Sequence, residues 1–63
     1  MGTAADHIVV AIPTLNEEQS IGGVVRGIPR DLVGRIIVAD GGSDDATAAR
    51  ARDAGADVIQ ARP

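Results

Sequence analysis

The sequence predicts an α/β fold of the order β-α-β-α-β, with parallel strands in the spatial order 3-2-1. Three observations predict it. Short β-branched runs recur at Ile8 to Ile12, Ile36 to Val38 and Val58-Ile59. The stretches between them carry helical spacing or an alanine-rich composition. Glycine, proline and aspartate separate the segments, and strands that alternate with helices join in parallel through right-handed crossovers.

The elements follow in order. Residues 1 to 6 read as a loose lead. Ile8-Val9-Val10-Ala11-Ile12 is a continuous apolar run, the pattern of a strand covered on both faces, and Pro13 is expected to stop it. Asn16 is placed to cap the next helix, with Gln19 at its third position, which puts Glu17 and Glu18 in the first turn. Ile21, Val24, Val25 and Ile28 make one apolar stripe at i, i+3, i+4, i+7. Pro29 is expected to end that helix. Ile36-Ile37-Val38 lies in a second strand over Arg35 to Ala39, followed by the polar turn Asp40 to Asp45. Asp44 or Asp45 can cap the alanine-rich helix beyond it, and Gly55 stands at its C′ position. Asp57 to Gln60 is the third strand. Together these make one mononucleotide-binding half of a doubly wound sheet.

Composition narrows the function. Nine Asp and Glu stand against six Arg, no Lys is present, and the net charge is −3. That balance excludes the clustered positive charge of a nucleic-acid partner. With no Cys and no aromatic residue, the chain has neither disulfides nor large rings to support a small core. The missing Cys fits a reducing, cytoplasmic setting, and no apolar run is long enough to span a bilayer. The third strand is expected to be an exposed edge, open to self-association.

Ligands of open α/β sheets bind beyond the carboxyl ends of the strands. Two polar clusters lie there, Pro13-Thr14-Leu15-Asn16-Glu17 after the first strand and Asp40 to Asp45 after the second. The first turn holds no glycine, so the G-x-G-x-x-G dinucleotide fingerprint is absent, and two glutamates there would repel a phosphate. A nucleotide bound at this edge therefore presents its base and ribose to the loops, with its pyrophosphate neutralised elsewhere. Asp40 has two readings. It accepts hydrogen bonds from a base or ribose, or it starts an Asx-type turn before Gly41-Gly42. Taken singly, Glu17 is a dipole complement and Thr14 and Asn16 are turn and cap residues.

The string Ile12-Pro13-Thr14-Leu15-Asn16-Glu17-Glu18, with Ser20-Ile21, resembles the I-P-x-(L/Y/F)-N-E-x-x-x-(I/L) opening of family 2 glycosyltransferases with the GT-A fold. Ile36 to Thr47 resembles their I-V-V-D-D-G-S-x-D-x-T signature, at a matching interval. The resemblance extends from Ile8 to Ile59, and the Ile21 to Pro29 stretch is most similar to the polyprenyl-phosphate (dolichol-phosphate) mannosyltransferase branch.

The resemblance implies a transferase that uses a nucleotide-diphosphate sugar, UDP- or GDP-linked, with a divalent metal, Mg or Mn, bridging the diphosphate. It implies that Pro13 and Thr14 line the base, that Glu17 contacts the ribose end and that Asp40 binds base or ribose. Asn16, Gly42, Ser43, Asp45 and Thr47 would shape the loops. A polyprenyl-phosphate acceptor would place a full-length form at the cytoplasmic face of a membrane. The pattern departs at Gly41, which replaces a second acid, and at Ala46, which replaces a glycine. The metal-binding Asp-x-Asp and the catalytic base would lie beyond residue 63. The chain is thus expected to be a truncated N-terminal portion of such a domain, with no catalytic residue or metal ligand of its own. A non-catalytic βαβαβ binding module and an NAD- or flavin-type fragment are the other readings.

Overall fold

The computed structural model describes residues 8–61; the loose lead expected at residues 1 to 6 lies outside them. The elements are β1 (Val9–Thr14), α1 (Ile21–Arg26), β2 (Arg35–Asp40), α2 (Thr47–Asp53) and β3 (Asp57–Gln60). The three strands form one parallel sheet in the order β1-β2-β3, the predicted arrangement.

Register fixes the two faces. Val10, Ile12 and Thr14 of β1 lie opposite Ile36, Val38 and Asp40 of β2, and Val58 lies opposite Val38. These positions face the core made by Ile21, Val25, Val33, Ile36, Val38, Ala51 and Ala56. Ile36 and Val38 are 1% and 0% exposed. Both helices cover this one face. The alternate positions Val9, Ala11, Pro13, Ile37, Ala39 and Ile59 share the opposite face, where Val9, Ala11, Pro13 and Ile59 are exposed. The first strand is therefore half-covered rather than buried on both faces.

Pro13 does not stop β1, which runs on to Thr14. The carbonyls of Ile8 and Thr14 accept from Gly34 and Gly41 on the β2 side. With period-two alternation, the amide positions of Val9, Ala11 and Pro13 point outward, so the missing proline N–H falls on the edge that no strand pairs among the described residues and costs no ladder bond there.

The first helix starts later and ends earlier than its sequence suggests. Asn16 is not its cap: it sits at φ 53, and Ser20 is the N-cap residue. Glu17 and Glu18 precede the helix, and its first turn holds no acid. Gly27 forms the C-cap, two residues before Pro29. Val24 is 49% exposed and leaves the stripe, while Gly22 is buried in its place. The second helix ends as expected, with Ala54 as C-cap and Gly55 at φ 105, a conformation that favours glycine. Among the described residues no helix is long and apolar enough to cross a membrane.

Candidate functional site

The two polar clusters meet at the carboxyl edge of the sheet, as parallel pairing of β1 with β2 requires. The β1–α1 loop and the β2–α2 loop are bonded to each other along their length. Gly41 N–H donates to the Thr14 carbonyl at 2.9 Å. Asn16 N–H donates to Ser43 Oγ at 2.9 Å, Glu17 N–H to Thr47 Oγ1 at 2.8 Å and Glu18 N–H to Asp45 Oδ2 at 3.4 Å. The exchange is mutual: Asp44 N–H donates to Asn16 Oδ1 at 3.0 Å, and Ala46 N–H to Glu18 Oε2 at 3.3 Å.

Asp40 is 2% exposed at the end of β2, beneath this loop pair. Its carboxylate accepts the Ser43 N–H, at 3.2 Å to Oδ1 and 3.3 Å to Oδ2, and also the Ser43 hydroxyl. These are the bonds of the turn-forming alternative, closed by Gly42 at φ 99. A buried carboxylate needs such donors, because leaving it unpaired would be costly.

Asp45 does not occupy the N-cap of α2; that residue is Ala46, which has no side-chain cap bond. Asp45 instead reaches forward two positions and accepts both the Thr47 N–H, at 3.0 Å, and the Thr47 hydroxyl. The Thr47 hydroxyl, helped by backbone amides and opposed by desolvation, holds the Asp45 carboxyl below the ordinary aspartate range. Asp44, the other expected cap, contributes its exposed amide to Asn16 instead.

The remaining predicted residues are distributed around this core. Pro13 is exposed on the bare face. The Thr14 carbonyl is taken by Gly41, while its Oγ1 is buried with no hydrogen-bond partner among the described residues. Glu17 is exposed, and its Oε2 accepts the Ser20 hydroxyl at 2.9 Å. An open depression of about 380 Å³ is lined by Asn16, Glu17, Glu18, Gln19, Ser20 and Asp45.

Glu18 is the residue the sequence reading undervalued. It bonds the second loop through both backbone and side chain and lies 3.9 Å from the Arg50 guanidinium. Its only sequence signal was adjacency to Glu17.

A divalent metal does not fit the acidic residues gathered here. Among the described residues no three His, Cys, Asp or Glu are grouped to hold one. Glu17, Glu18 and Asp45 are instead committed to Ser20, Ala46 and Thr47.

No protein-family model matches the chain. It is 46% identical over 59 residues to a dolichyl-phosphate hexose transferase of Haloferax volcanii, covering 92% of this chain and 26% of that protein. It is also 46% identical over 59 residues to glucosyl-3-phosphoglycerate synthase of Mycolicibacterium smegmatis, covering 89% and 20%. Among solved structures, glucosyl-3-phosphoglycerate synthase of Mycobacterium tuberculosis superposes with a TM-score of 0.78 at 43% identity, over 84% of this chain and 21% of that one. The same enzyme with Mn2+, UDP-glucose and phosphoglyceric acid superposes equally well, at 41% identity over 90% and 22%. The chain thus spans about a fifth to a quarter of the length of these relatives. In sequence and in fold, its relatives are glycosyltransferases with the GT-A fold.

Proposed function

We propose that this chain forms the nucleoside-facing part of the donor site of a glycosyltransferase, which moves a sugar from a nucleotide-diphosphate sugar to an acceptor. One observation carries the reading. The consecutive amides of Asn16, Glu17 and Glu18 are all used within the protein, on Ser43, Thr47 and Asp45. Such amides would otherwise form an anion cradle. With them occupied, the loop pair offers mainly acceptors, led by the exposed Glu17 carboxylate. Acceptors suit the N–H groups of a base and the hydroxyls of a ribose, and they disfavour a diphosphate.

In this reading Pro13 and Thr14 line the base side through their backbone, and Glu17 takes the ribose end. Asp40 serves the nucleoside from beneath, holding Ser43 against it. Asn16, Gly42, Ser43, Asp45 and Thr47 shape the loops. UDP or GDP is the nucleotide class, and UDP-glucose is bound by the M. tuberculosis relative. Mg or Mn would neutralise the diphosphate through residues outside this chain, as the Mn2+ of that relative suggests. The acceptor is a phosphorylated compound. A polyprenyl phosphate at the cytoplasmic face of a membrane follows the archaeal relative's name, and a phosphoglycerate follows the mycobacterial one.

Separate titrations with UDP, GDP and NAD, each with Mg2+, test the reading by amide chemical shifts. UDP or GDP is expected to move residues 14 to 18 and 40 to 47. Shifts confined to other residues, or an equal response to NAD, would overturn it.

A further inference from the structure

The loops beyond the sheet are joined twice by the same three-part chain. In the first, Asp40 Oδ1 accepts the Ser43 hydroxyl proton, and Ser43 Oγ accepts the Asn16 N–H. In the second, Asp45 Oδ1 accepts the Thr47 hydroxyl proton, and Thr47 Oγ1 accepts the Glu17 N–H. A hydroxyl has one proton, so giving it to a carboxylate turns only lone pairs toward the amide. The charged acceptor also polarises the hydroxyl and strengthens what it accepts. Both relays run from the second loop to consecutive amides of the first, across sequence separations of 27 and 30 residues. One member of each is enclosed: Asp40 is 2% exposed in the first and Thr47 is 0% exposed in the second. Asn16 sits at φ 53, in the left-handed region that asparagine tolerates better than most residues other than glycine.

We propose that Ser43 and Thr47 are positioning residues. Through two carboxylate–hydroxyl–amide relays, they fix the peptide planes of Asn16 and Glu17 and so set where the Glu17 carboxylate meets a nucleoside. The ligand in this proposal rests on the donor-site reading; the relays do not. A hydroxyl that merely fills core space would do the same work as a methyl of equal volume. A relay would not survive that exchange.

The test uses the 63-residue chain as wild type, Thr47→Val, Thr47→Ser and Ser43→Ala. Amide hydrogen exchange is followed at Asn16, Glu17 and Val38, and UDP with Mn2+ is titrated into each. Thr47→Val is expected to speed exchange at Glu17 by about tenfold or more beyond any change at Val38, since only local opening separates the two. Thr47→Ser restores the wild-type pattern. The UDP dissociation constant rises by roughly tenfold in Thr47→Val and returns to near the wild-type value in Thr47→Ser. Ser43→Ala, at a half-buried position, repeats the test at Asn16 should Thr47→Val not fold. Unchanged exchange at Glu17, equal acceleration at Glu17 and Val38, or UDP binding by Thr47→Val as tight as wild type each overturns the proposal. Failure of the wild type to bind UDP counts against the donor-site reading alone, and the exchange pattern then decides the relays.

Discussion

The carboxyl edge of the sheet and its helix-free face contrast in almost every respect. At the edge, six hydrogen bonds cross between two loops, and little apolar surface is involved. On the free face Val9, Ala11, Pro13, Ile37, Ala39 and Ile59 form an apolar surface, with Arg35 and Asp57 ion-paired at 2.8 Å toward its amino end. One region has its geometry specified without much burial, and the other has apolar character without specified geometry. A hydrogen-bonded edge can hold its shape wherever its partners are both present. An apolar face defines nothing until something covers it, so the helix-covered side must supply the stability of the fold.

The largest test compares the two faces directly. Ile36→Ala, on the covered side, is expected to cost about 2–5 kcal/mol, whereas Ile59→Ala changes stability by roughly 0.5 kcal/mol or less. Urea titration of dilute samples measures both, and equal losses would mean that the free face is covered in solution. A second comparison sets the edge against the core. Thr47→Val leaves the Glu17 N–H and Asp45 without their shared partner, for an expected loss of about 1–3 kcal/mol. A variant as stable as wild type would show that water replaces the hydroxyl without cost. The third concerns association. The apolar face and open strand edges predict an unfolding midpoint that rises with protein concentration, and Ile59→Asp should abolish that rise. A midpoint independent of concentration would show that the chain leaves this face wet.

The smallest effects are electrostatic. Because the Asp45 carboxyl is held below its ordinary range when folded, the linked stability is present above the unfolded aspartate value. It is lost as pH falls below about 4, through the depressed folded value. Asp45→Asn should flatten that part of a pH–stability curve, lowering the side near neutrality and leaving the acid end in place. Arg35→Ala removes an exposed ion pair and should cost less than about 1 kcal/mol. A larger loss would mean that the pair shapes the free face.

The sheet was legible because its signals are local. Val38, Val58 and Gly55 lie where β-branched runs and a helix-stopping glycine place them. The start of α1 was not, since Asn16 is held by Ser43 and Asp44, 27 and 28 residues away. A capping pattern read along the chain cannot register bonds made across it. The apolar run of β1 was misread for a related reason: alternation is lost when both faces are apolar, whether or not both are covered. At the site, the clusters themselves were legible, but the burial of Asp40 and the linking role of Glu18 depend on how two loops approach in space.

The position of Pro13 bears on how this sheet could grow. Among the described residues no strand pairs with the outer margin of β1, where the N–H groups of Val9 and Ala11 point outward and the next outward place is a ring nitrogen with nothing to donate. An incoming fourth strand could zip along the amino half of that margin, but its ladder would break before reaching the loops. A strand added at this margin is therefore held to the amino end of the sheet, and the loop end stays accessible.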